Sequence, residues 1–145
     1  MAACTFFGHR DCPDTIRTKL QETLIELITL YGVDMFYVGN QGQFDAIVRS
    51  VLGELRTEYP QINYAVVLAY MPGAKNENYD FSDTMLPEGI ENIHPRYAIS
   101  WRNNWMLHQS EYVVTYITHT WGCSAQFAKK AQAMQKVVVK FVNQG

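Results

Sequence analysis

The chain has no run of basic residues, no apolar run long enough to cross a bilayer, and few cysteines. Twelve Lys and Arg against fourteen Asp and Glu leave a net charge of −2. A duplex-binding protein needs cations gathered on one face to neutralise phosphates, so duplex nucleic acid is not an expected partner. No apolar run approaches the ~18 residues of a spanning helix, and no basic leader precedes an apolar core, so a cytoplasmic protein without a membrane partner is expected. The three cysteines, Cys4, Cys12 and Cys123, are odd in number and far apart. That argues against a disulfide framework and for a reducing compartment. With 48% hydrophobic and 18% charged residues, the composition also speaks against disorder.

What is present is alternation. Ala3 to Phe7 reads as a short buried strand, and Ile16, Leu20, Leu24, Leu27, Ile28 and Tyr31 then recur at helical spacing up to Gly32. Asp34 to Val38 is a second strand. Phe44, Ile47, Val48, Val51, Leu52 and Leu55 mark a helix that ends before Pro60. Tyr64 to Met71 is a third, doubly covered strand. From Pro72 to Pro95 periodicity is lost, and a loop of that length is expected to act as a flap. Arg96 to Gln109 is expected to be helical, Glu111 to Ile117 a strand, Gly122 to Met134 a helix, and Val137 to Val142 a last strand. Strands alternating with helices predict one α/β domain over 1–145. It would be a Rossmann-like three-layer sandwich around a central parallel sheet of about five strands.

Three strand-to-helix turns carry unusual residues: Gly8-His9-Arg10, Gly39-Asn40-Gln41-Gly42 with Asp45, and His119 through Ser124. In a parallel sheet they share the edge beyond the strand carboxyl ends, where helix N-termini and close backbone hold anions. Arg10 opposes the dipole of the helix it opens unless it meets an anion. Arg102 lies on a helix expected near the same edge. Other chemistries are weaker. His9, Cys12, His119 and Cys123 have no tight ligand spacing for zinc. A thiol nucleophile at Cys12 or Cys123 has no marked base beyond those histidines. The first turn also lacks the G-x-G-x-x-G of a dinucleotide site. No metal and no cofactor is therefore expected.

Taken in order, Phe7-Gly8-His9-Arg10, Gly39-x-x-Gly42-x-x-Asp45, Pro87-Glu88-Gly89, Arg102-Asn103-x-Trp105-Met106-x-x-x-Ser110 and Gly122-Cys123-Ser124-Ala125 span almost the whole chain. Together they resemble the SLOG superfamily, and within it the small YpsA-like branch of bacteria and phages. The resemblance implies a homo-oligomer that binds nucleotides or nucleotide-derived ligands at the turns described above. Among the relatives, LONELY GUY enzymes hydrolyse nucleoside monophosphates, using a helix Arg, onto which Arg102 falls beside Met106, and a Glu after a glycine turn. Here Phe127 falls near the place of that Glu, which leaves no evident carboxylate for hydrolysis, although Asp45 or Glu111 could substitute. Other SLOG domains sense nucleotide second messengers.

The expectation is a protein that binds a nucleotide-like small molecule, an ADP-ribose-like or cyclic nucleotide, as sensor or sequestering protein without transforming it. Gly8, His9, Arg10, Gly39, Gly42, Gly122, Cys123 and Ser124 would cradle phosphate and ribose. Arg102 would neutralise a phosphate, and Asp45 would hold a ribose or fix its loop. Trp101, Trp105 and Trp121 are candidates to stack on a base. The alternative is an N-glycosidic hydrolase of the phosphoribohydrolase type, with Arg102 as its catalytic residue.

Overall fold

The computed structural model describes residues 2–70 and 83–141. Strand β1, Ala2–Gly8, opens the chain. Pro13 then leads into a 3-10 turn at Asp14–Ile16 and helix α1, Arg17–Tyr31. Gly32 stops α1 in the left-handed conformation (φ 68°), its N–H reaching back to the Leu27 carbonyl. Strand β2, Val33–Val38, and helix α2, Gly42–Glu58, follow. Strand β3, Asn63–Val67, is shorter than its apolar run, which continues buried through Leu68 and Ala69.

Residues 71–82, and with them the first part of the expected flap, lie outside the described residues. The rest of that stretch is more ordered than its composition implies. Thr84–Met85 forms a two-residue strand, β4, paired in parallel with Val66 and Val67. Val66 N–H donates to the Asp83 carbonyl (2.7 Å) and Leu68 N–H to the Met85 carbonyl (2.9 Å). The Asp83 carboxylate is in turn held by Arg56 at 3.0 and 3.2 Å and by the Tyr64 hydroxyl at 3.1 Å. Two residues are too few to show a period, which is why this sixth strand is invisible as a pattern. Helix α3, Pro95–Gln109, starts with proline at its first position, where no N–H is needed. Strand β5, Tyr112–Tyr116, helix α4, Cys123–Ala133, and strand β6, Val137–Phe141, complete the described residues.

All strands are parallel, in the order β4-β3-β2-β1-β5-β6. The architecture is the expected Rossmann-like α/β sandwich, with six strands among the described residues in place of about five. The period of two in β1 sorts its side chains to the two faces. Phe6 joins Leu20, Leu24, Phe44 and Leu52 in the core beneath α1 and α2. Phe7 joins Met106, Leu107, Phe127 and Ala131 beneath α3 and α4. Each fully buried aromatic or aliphatic chain of this kind contributes about 1.5–3 kcal/mol. The order reverses between β1 and β5, since α1 leaves β1 on one face and α4 leaves β5 on the other. Among the described residues no helix is long and apolar enough to cross a membrane.

Candidate functional site

A cavity of about 240 Å³ opens where the strand order reverses. β1 and the turn after it supply Phe6, Phe7, Gly8 and Arg10, the β2–α2 connection supplies Gln41, and the first turn of α2 supplies Asp45. α3 contributes Ile99, Arg102, Asn103 and Met106, and the first turn of α4 contributes Cys123 and Ser124. In parallel α/β sheets such a crevice is where ligands bind.

Arg102 is 2% exposed, an unusual depth for a guanidinium. Its Nη1 donates to the Val67 carbonyl (2.8 Å) and the Asn40 side-chain oxygen (3.4 Å), and its Nε to Asn103 Oδ1 (2.9 Å). The Nη2 group has no hydrogen-bond partner among the described residues. Burial lowers the Arg102 pKa and the Asp45 charge raises it again. A guanidinium starts high enough to stay cationic at neutral pH regardless.

Asp45, in the first turn of α2, is buried as well. Burial lifts its carboxyl from 3.8 to about 6, against the opposing pull of the Gln41 N–H (3.0 Å to Oδ2), Arg102 and Arg49. Gly39 separates the two groups. A Cβ at Gly39 would lie 2.8 Å from Asp45 Oδ2 and 3.1 Å from Arg102 Nη1. Only a residue without a side chain leaves room for both.

The remaining glycines serve packing more than ligand approach. A Cβ at Gly8 would lie 2.2 Å from the Phe44 ring of α2. Gly42, at φ 87°, sits against the Arg10 backbone, whose carbonyl accepts the Gln43 N–H at 2.8 Å. Gly122, at φ 99°, turns the chain into α4. None of Gly39, Gly42 and Gly122 lines the cavity. Ser124 lines it, but its hydroxyl donates to the Gly8 carbonyl at 2.7 Å instead of capping α4. The exposed Cys123 accepts a hydrogen bond from Asn103 Nδ2 at 3.4 Å.

His9 leaves the cavity wall. It continues the β1–β5 ladder through its N–H to the Tyr116 carbonyl (3.2 Å), and its ring stacks on His119 at 3.6 Å between centroids. His119 stacks on Trp121 at 3.7 Å. The His119 N–H donates to His9 Nε2 (3.4 Å), which holds that nitrogen as an acceptor with the proton on Nδ1. Burial and the facing His119 both lower the His9 pKa. Among the described residues no three His, Cys, Asp or Glu side chains gather as a metal site would need.

The two carboxylates considered for hydrolysis separate cleanly. Asp45 is on the cavity wall, whereas Glu111 accepts the Ala3 N–H (2.7 Å) at the opposite edge of the sheet. Phe127 stacks on Phe7 at 5.4 Å in the core, so no group of its own reaches the cavity. Asn103 was not among the expected site residues, yet it links Arg102 to Cys123; its signal was its place beside the arginine. Gln41, Ile99 and Met106 complete the wall.

Fold and cavity together define a parallel α/β protein with an arginine-bearing crevice, part apolar and part polar in its lining, at its topological switch point. No protein-family model matches the chain, and no curated protein matches it in sequence.

Proposed function

We propose that this chain binds a nucleotide or nucleotide-derived signalling ligand, of the ADP-ribose or cyclic-nucleotide kind, in the cavity beyond β1 and β5. It would act as a SLOG-type sensor or sequestering protein. The observation that carries this reading is Arg102. A buried cation whose Nη1 and Nε are fixed by Val67, Asn40 and Asn103, and whose Nη2 is unpartnered among the described residues, is oriented to receive an anion. Arg10 adds a second positive charge to the wall, and the first turn of α4 adds N–H groups and the positive end of its dipole. Thermal unfolding across mono-, di- and cyclic nucleotides and ADP-ribose tests it. A ligand at ~100 times its Kd stabilises by about 2.7 kcal/mol, which is several degrees in a domain of this size. No shift with any of them, in the folded protein, overturns the reading.

One observation favours a second reading, N-glycosidic hydrolysis. A carboxyl with a pKa of about 6 on the cavity wall can hold or accept a proton near neutral pH, as a general acid or base must. Release of free base from nucleoside monophosphates, abolished in Asp45→Asn, would establish it.

A further inference from the structure

We propose that the chain carries a second ligand site, between α4 and the edge formed by β5 and β6, and that this site takes a small organic carboxylate with an apolar body. A cavity of about 290 Å³ opens there, close to the lower end of the ~300–1,000 Å³ of small-molecule sites. It shares no lining residue with the cavity beside Arg102, so the proposal does not depend on what that cavity binds.

The observation that points to a ligand is Thr115. Buried polar side chains in this fold are hydrogen-bonded. The Thr5 hydroxyl donates to the Tyr37 carbonyl and the Ser110 hydroxyl to the Met106 carbonyl, both at 2.9 Å. His9, Asp45, Arg102 and Asn103 have the partners described above. Thr115, 2% exposed and on the wall of this cavity, is the exception: its hydroxyl makes no hydrogen bond among the described residues. A buried hydroxyl without a partner costs free energy, and a ligand oxygen in the cavity recovers it.

The charge around Thr115 is of one sign. Lys140 of β6 is its in-register partner, and in-register residues of neighbouring strands project to the same face of the sheet. Lys129 lines the same cavity from α4. Neither lysine has an ion pair among the described residues, and no Asp or Glu lines the cavity. Ile117, Ala125 and Ala128 supply an apolar wall. One hydroxyl and two ammonium groups suit the single charge of a carboxylate, whereas a phosphate dianion finds more donors at the arginines and helix start of the first cavity. The apolar wall favours a carboxylate with a body over acetate.

The experiment titrates the isotope-labelled chain with benzoate, benzyl alcohol, acetate and inorganic phosphate and follows the amide NMR shifts. Benzoate should move the Thr115, Ala128 and Lys140 amides with a Kd of about 1 mM or below, and the other three should bind at least about ten-fold more weakly. Thr115→Val keeps the shape of the side chain and removes only the hydroxyl. It should weaken benzoate about five-fold and leave the thermal midpoint unchanged or higher, because no bond within the described chain is lost. Lys140→Ala, at an exposed position, should weaken benzoate by a similar factor, and Arg10→Ala, in the first cavity, should not change it. Shifts confined to the surroundings of Arg10 and Arg102 overturn the proposal, as does benzyl alcohol or phosphate binding as tightly as benzoate. So does the absence of any shift at Thr115 and Lys140 with about 10 mM of each compound, or a benzoate affinity that Thr115→Val and Lys140→Ala leave unchanged.

Discussion

His9 and His119 lie ring on ring, 3.6 Å apart and 16° from parallel, with the His119 N–H directed at His9 Nε2. Protonating His9 at Nε2 would place a donor against a donor and a charge against a neighbouring imidazole. Its lowered pKa fixes the sign: the folded state binds this proton less readily than the unfolded chain. The contribution to stability is complete above the ordinary value of 6.5 and is lost as pH falls below it. NMR titration of the ring protons should give His9 a midpoint below 6.5, and a midpoint above it would contradict the geometry.

Asp45 has the opposite slope. Its carboxyl is raised from 3.8 to about 6, so the folded state takes up the proton first. Stability from this group is present below about pH 4 and declines as pH rises to 6. At about 1.4 kcal/mol per pH unit, the ionised group costs roughly 3 kcal/mol at neutral pH. Asp45→Asn, which keeps an acceptor for the Gln41 N–H, should therefore be more stable than wild type at pH 7, by at most that amount. Urea unfolding at pH 4 and pH 7 measures it; equal stabilities at both would show that Asp45 is not desolvated.

Gly39→Ala should damage the site and the fold together, because the new methyl falls between Asp45 and Arg102. Overpacking of this kind costs about 1–3 kcal/mol. Chemical denaturation gives the stability loss, and Arg102 displacement should appear as weaker phosphate-ester binding than in a variant equally destabilised elsewhere.

Gly8→Ala should cost at least as much, since its methyl meets the Phe44 ring at 2.2 Å. Shortening that ring should relieve the clash. The double variant Gly8→Ala with Phe44→Leu is expected to be more stable than the sum of the two single losses, a coupling that a double-mutant cycle reads directly.

Asp83→Asn should loosen β4 without unfolding the chain. The Arg56–Asp83 pair is about one-third exposed, so its charge contributes no more than about 1 kcal/mol. Hydrogen exchange should speed up at Leu68, whose N–H is held by Met85, ahead of the central strands.

Much of the sheet could be read from the residues. Phe44, Ile47, Val48, Val51, Leu52 and Leu55 declare α2 by spacing alone, and all six are buried on one stripe. The switch-point cavity follows from the α/β alternation, which is why Gly8, Arg10, Asp45, Arg102, Cys123 and Ser124 meet there. What spacing does not carry is direction. A glycine after a strand looks the same whether it admits a ligand or a phenylalanine ring, so the packing of Gly8 on Phe44 was hidden. A histidine at a turn shows no sign of the histidine 110 positions away that it will stack on. Arg102 announced its charge, but its depth depends on Val67 and Asn40 coming together across the sheet edge.

Gly8 has one more consequence. Its α-carbon lies against Phe44 from α2 on one face of the sheet, and its carbonyl holds Ser124 from α4 on the other. The two helix starts that flank the crevice are thus riveted to a single residue, and neither can drift without pulling on the other. Two sides of the crevice are thereby fixed against each other, so a ligand entering there would find that part of its surroundings already ordered.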